Sequence, residues 1–177
     1  MAKAREIHGL SGDGSYAAAA ARIVAVRAQE LVDHSAGVLD TGDIERVHDM
    51  RVATRRLRAA LEVFEPCFPG KRLAEDLGDV KSLADALGER RDRDVAIAAL
   101  EELGATMAAP DRPGIDSLID RLRAEQLRAN EELAGLVAAD RLEALRERLG
   151  DLVAEAWALA PEESPPSEAA RSNGSGS

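Results

Sequence analysis

The sequence predicts an all-α protein, an antiparallel bundle of about five to six helices with a disordered C-terminal tail. Three observations carry this. Alanine and leucine dominate an apolar fraction of 45%, enough for a sizeable core, while β-branched residues are sparse. Apolar residues recur at spacings of three and four over most of the chain. Proline- and glycine-containing stretches, "EPCFPG" and "GATMAAPDRPG", separate the periodic segments. The chain of 177 residues divides into a flexible lead (1–15), a bundle (16–159) and the tail (160–177).

The elements follow in order. After Gly12, Gly14 and Ser15, a first helix is expected from about Tyr16 to Val38, with Ala20, Ile23, Val24, Leu31 and Leu39 on one face. "DTGD" makes a turn, with Asp43 placed to cap the second helix. That helix holds "VHDMRVATRRLRAALEVF" and stops at "EPCFPG". A third helix carries Leu73, Leu77, Val80, Ala84 and Leu87, with Gly88 expected to end or bend it before a short helix reaches Leu103. "GATMAAPDRPG" reads as a linker, followed by helices near Ile115–Val137 and Arg141–Leu159. From Pro161 the composition is too polar to bury a core.

Charge narrows the function. With 33 acidic and 23 basic side chains the net charge is −10, which argues against a protein that coats DNA or anionic membranes. The N-terminus has no apolar stretch of signal-peptide length, no run approaches a membrane span, and Cys67 is the lone cysteine, so a cytoplasmic protein without an internal disulfide is expected.

Against that acidic background, His48 and four arginines (Arg51, Arg55, Arg56 and Arg58) fall within eleven residues of the second helix. Val47, Met50, Leu57, Leu61 and Phe64 form its buried seam. His48, Arg51, Arg55 and Arg58 stand at i, i+3, i+7 and i+10, a second stripe about 15 Å long, with Arg56 about 100° round from Arg55. Arg58 has Glu62 one turn on, and Arg46 has Asp49. Arg51, Arg55 and Arg56 have no acid three or four residues away, and Arg51 and Arg55 repel each other at i,i+4. Either acids of other helices answer them or a multivalent anion does; the planar guanidinium fork suits phosphates.

The stretch "VHDMRVATRRLRAALEVF" followed by "DLGDVKSLADALGERRDRDV" closely resembles the CHAD family, the conserved histidine α-helical domain, over roughly Ala17 to Ala156. The resemblance is to its first half, since no second basic motif follows Arg112 and the remaining basic residues are interleaved with acids. It implies a helical bundle that binds inorganic polyphosphate, with His48, Arg51, Arg55, Arg56, Arg58, Lys81 and Arg91 on the binding surface. Asp92 and Asp94 would orient the basic side chains or cap the helix. Lys81 also has an ordinary i,i+4 partner in Asp85, and Arg90 and Arg93 are expected in solvent. A homodimer, or a second half-domain partner, would rebuild a two-sided groove; a monomer in sedimentation would rule that out.

Rival functions are less well supported by the residues. His8, His34 and His48 are far apart, no Cys/His ligand spacing exists, and no phosphate loop or nucleophile motif is present, so neither an enzyme nor a metal or other cofactor is expected. A single-strand nucleic-acid binder interleaves aromatics with its basic residues, and this stripe has none. The remaining alternative is a helical interaction module whose arginines meet acids of a partner or of its own helices.

Overall fold

The computed structural model describes residues 3–12 and 14–159. The tail expected over 160–177 lies outside them. The described residues form five α-helices: α1 (Tyr16–Asp33), α2 (Ile44–Val63), α3 (Gly70–Thr106), α4 (Pro113–Leu136) and α5 (Ala139–Ala158), with 3-10 turns at Glu65–Cys67 and Ala109–Asp111. None of these helices is long and apolar enough to cross a membrane.

α3 is continuous through Gly88, where a break or bend was expected. At 37 residues it is about 55 Å long. Its buried residues are Leu73, Asp76, Val80, Leu83, Leu87, Arg90, Asp94 and Ile97, an unbroken alternation of three and four. The seam therefore passes Gly88, which lies to one side of it. Helix–helix packing outweighs the roughly 1 kcal/mol that a helical glycine costs.

The other helices are arranged along this spine. Tyr16 Oη donates to Val63 O at 3.0 Å, so α1 and α2 run antiparallel. Arg91 donates to Ile44 O at 2.9 Å while Lys81 lies 3.6 Å from Glu62, so α2 runs antiparallel to α3. α4 and α5 both run against α3, one after the other. Arg123 of α4 donates to Glu101 at 2.7 Å and Gln126 to Asp94 at 2.7 Å. Arg148 of α5 donates to Asp76 at 2.6 Å and Arg72 reaches Asp151 at 3.0 Å. α1 closes the bundle against α2 and α5, with the Arg22 guanidinium 4.8 Å from the Trp157 ring centroid. The core unites Val24, Leu31, Val47, Met50, Leu57, Leu61, Val80, Leu87, Leu133, Leu149 and Leu152. Each such large side chain contributes about 1.5–3 kcal/mol by leaving water.

Local signals explain the helix ends. The Ser15 hydroxyl accepts from Ala18 N at the start of α1. α1 stops at Asp33 rather than near Val38, because the chain turns through Gly37 at φ +71°, where an added Cβ would also meet the Arg46 guanidinium at 2.6 Å. Asp43 occupies the cap position of α2 but makes no cap hydrogen bond; its carboxylate accepts from Arg46 Nε at 3.0 Å instead. Arg46 thus pairs backward with Asp43, not forward with Asp49, as Nη1 turns to Ala36 O at 3.0 Å. Pro113 opens α4 at a position whose N–H needs no partner. In the N-terminal lead, the Arg5 backbone N–H donates to Glu30, which is 2% exposed, and Arg27 donates to Glu30 at 2.7 Å.

Arg90 is fully buried, where solvent exposure was expected, and Arg93 pairs with Glu89 at 2.7 Å and Glu125 at 3.8 Å. Arg90 binds both carboxylate oxygens of Asp94, itself 2% exposed, and Gln126 completes the set from α4. This group fixes the register of α4 on α3. Asp94→Ala should cost about 3–5 kcal/mol, because a buried guanidinium is left unpaired. Replacing Arg90 and Asp94 together by leucine should restore most of that in chemical denaturation. Equal losses in the single and double variants would contradict this reading.

Candidate functional site

Helical geometry decides where the basic residues fall. On α2, Val47, Met50, Ala53, Thr54, Leu57, Ala60 and Leu61 are buried. His48, Arg51 and Arg58 are half-buried beside that face and Arg55 is exposed. On α3, Lys81 and Arg91 are half-buried, ten residues apart, as are His48 and Arg58 on α2. Each row thus spans about 15 Å. The antiparallel pairing aligns them: Lys81 stands by the Arg58 end, joined through Glu62, and Arg91 by the opening turn of α2 at Ile44. Between Lys81 and Arg91, at the same 3-4-3 spacing, α3 carries only Ala84 and Gly88. A Cβ built at Gly88 would meet nothing within 4 Å. The result is a shallow strip with cations along both sides and small residues between.

Partners divide these cations into two groups. Arg58 Nε donates to Glu62 at 3.0 Å, the pairing expected from their spacing. Lys81 lies 3.6 Å from the same Glu62 oxygen, rather than pairing with Asp85. The hydrogen bond from Arg58, then the nearby Arg58 and Lys81 charges, hold the Glu62 carboxyl below the usual carboxylate range. With a depressed folded-state value, this link is complete at neutral pH and is lost only as pH falls through that value. Arg91 donates to Ile44 O and lies 3.6 Å from Glu45. His48, Arg51 and Arg55 have no hydrogen-bond or ion-pair partner among the described residues.

The remaining candidates lie elsewhere. Arg56 is half-buried, about 100° round α2 from Arg55, and already engaged. Asp92 is exposed without a partner among the described residues, and Asp94 orients Arg90 in the core, so neither orients a cation of the strip. Asp85 and Asp92 border the strip on the outer side of α3. Glu45, His48 and Asp49 bring their ligand atoms within 4.8 Å of one another, a grouping that a search for paired histidines misses; its signal is acids at i−3 and i+1 of His48. The Arg91 guanidinium beside Glu45 competes with a cation there. Cys67 is buried, and burial pushes its thiol up, away from thiolate chemistry.

Elsewhere many arginines of the bundle meet acids, although Arg128 of α4 has no partner among the described residues and Arg112 donates only to Met107 O. Arg148 spans Asp76 and Asp79, Arg72 spans Asp151 and Glu155, and Arg146 meets Glu143. The contrast yields a stability prediction. Arg148→Ala leaves Asp76, 2% exposed, without its donor and should cost about 1–3 kcal/mol. Arg51→Ala should stay within about 0.5 kcal/mol of wild type in thermal unfolding, or gain slightly as repulsion from Arg55 is relieved. A large loss at Arg51 would show that the fold, not a ligand, needs it.

A comparison with protein families matches the CHAD domain over residues 22–173. The match covers most of the chain and includes α4 and α5, where the residue patterns alone showed only loose helical periodicity. The chain belongs to the CHAD family. A comparison with curated proteins gives no match.

Proposed function

We propose that this CHAD-family chain is a cytoplasmic, non-catalytic module that binds inorganic polyphosphate along the α2–α3 strip. The observation that carries the reading is the state of Arg51 and Arg55. In a chain of net charge −10, these two arginines have neither a partner among the described residues nor an acid three or four residues away. Arg72, Arg146 and Arg148 have partners, and the unpaired Arg128 has Glu125, Glu131 and Glu132 at those spacings. Leaving them so costs stability through mutual repulsion. A linear polyanion would relieve that cost, and two rows of cations about 15 Å long match a ligand with repeated charges better than a single phosphate.

The aromatic side chains favour a phosphate polymer without bases. Phe64 packs on Tyr16 with ring centroids 5.1 Å apart, Phe68 is buried and Trp157 lies under Arg22. None of them stands on the strip to stack a base. A helical interaction module with an acidic protein partner would use the same arginines; that no acid among the described residues meets Arg51 or Arg55 speaks against the version in which the bundle answers itself. A second copy or half-domain facing the strip would add phosphate contacts. Val95, Leu103 and Leu127 are the exposed apolar residues of the α3–α4 pair that such a partner could cover, and sedimentation as a monomer would exclude the self-associated form.

Calorimetric titration with long-chain polyphosphate at two salt concentrations tests the function. Wild type should bind and weaken steeply with salt as counterions are released. Arg51→Ala/Arg55→Ala should lose at least about tenfold in affinity, or about 1.4 kcal/mol, while remaining folded. Absence of binding at low salt, or an unaffected double variant, would overturn the proposal. Competition with single-stranded DNA of equal charge should leave the polyphosphate complex largely intact.

A further inference from the structure

The strip is open in the middle and has one of the protein's own carboxylates at each end, Glu45 beside Arg91 and Glu62 between Arg58 and Lys81; only Glu62 joins the two rows. Arg51 and Arg55 have no partner among the described residues, but toward the C-terminus of α2 the first anion to reach the cations is the protein's own. One oxygen of Glu62 accepts from Arg58 Nε at 3.0 Å and lies 3.6 Å from Lys81 Nζ, so a single carboxylate joins the two rows. Glu62 is not part of the basic pattern, and nothing in the CHAD-like motif read from the sequence gives it a role. A carboxylate offers two oxygens to these donors in the manner of a phosphate, and the two anions cannot share the same N–H groups at the same time.

We infer that Glu62 is an internal competitor that determines how much of the strip a phosphate chain occupies. The inference rests on the polyphosphate reading. A chain docks on Arg51 and Arg55 without displacing anything, and reaches Arg58 and Lys81 only by pushing Glu62 aside. Arg58, Glu62 and Lys81 side chains are each about two-fifths exposed, so water screens the link and its displacement is cheap for a more highly charged phosphate. The cost falls only on ligands long enough to extend to that end, which makes Glu62 a determinant of specificity rather than a gate over the whole site. A plain staple between α2 and α3 is the competing role, and it predicts lower stability without tighter binding when Glu62 is neutralised.

The test compares Glu62→Gln with Asp85→Asn in binding long-chain polyphosphate at one salt concentration. Asp85 is exposed on α3, one turn from Lys81, without an ion-pair partner among the described residues, so its removal supplies the same change in net charge on the same side. Glu62→Gln should bind about three- to fivefold tighter than wild type, the equivalent of one exposed ion pair no longer to be broken. Asp85→Asn should gain about twofold or less, through screened long-range charge alone. Adding Glu62→Gln to an Arg58→Ala/Lys81→Ala background should yield no more than the Asp85→Asn gain, because the donors that Glu62 withholds are gone. If Glu62→Gln binds no tighter than Asp85→Asn, while wild type binds and Arg51→Ala/Arg55→Ala does not, the competitor role is overturned and the proposed function stands. If wild type fails to bind at low salt, both fall together.

Discussion

The unbroken seam of α3 is the constraint on which the other helices depend. Leu73, Asp76, Val80, Leu83, Leu87, Arg90, Asp94 and Ile97 alternate at spacings of three and four, so one line of the helix faces its neighbours from end to end. α2 packs along that line, and α5 and α4 follow each other down it. Three of the eight positions are charged. Asp76 is matched by Arg148 of α5 and Asp94 by Gln126 of α4, while Arg90 pairs with Asp94 inside α3 itself. An apolar core would tolerate a helix sliding by a turn. A buried charge that loses its partner would not, so these contacts select one register for α5 and one for α4 on α3.

The pairing of α2 with α3 assembles the basic strip. Lys81 and Arg91 are useful only if α3 holds them alongside His48, Arg51, Arg55 and Arg58, and the antiparallel α2–α3 pairing does so at both ends. Gly88 has a place in this arrangement. It weakens the helix slightly, yet it keeps the space between the rows clear, and Ala84 does the same one turn earlier. Some of the acids are engaged away from this surface: Asp76, Asp79, Asp151 and Glu155 face arginines of α3 and α5.

Much of this was legible in the residues, for reasons that can be named. The helices of 3.6-residue periodicity, the stop at "EPCFPG" and the α2 stripe all follow from spacing. The Arg58–Glu62 pair is local enough to be read directly. The failures have more than one physical cause. Counting only apolar residues breaks α3 at Gly88, since Arg90 and Asp94 hold seam positions that look like surface. Spacing offers Lys81 a partner in Asp85 beside its place on the binding surface, but Glu62 across the groove is the acid that lies near it. Asp43 and Arg46 found each other before either reached its expected partner. The strip's α2 row was visible in sequence, whereas its alignment with Lys81 and Arg91 depends on a helix pairing that spacing alone does not encode.

The central claim is that Arg51 and Arg55 await phosphates rather than serve the fold. The most direct measurement is the arginine Nε–Hε spectrum of isotope-labelled protein during titration with long-chain polyphosphate. The account predicts that the Arg51 and Arg55 signals shift first and together, that Arg58 follows as Glu62 is displaced, and that Arg90 and Arg148 stay fixed. A titration in which Arg51 and Arg55 do not move, or in which Arg72 and Arg148 respond instead, would contradict it.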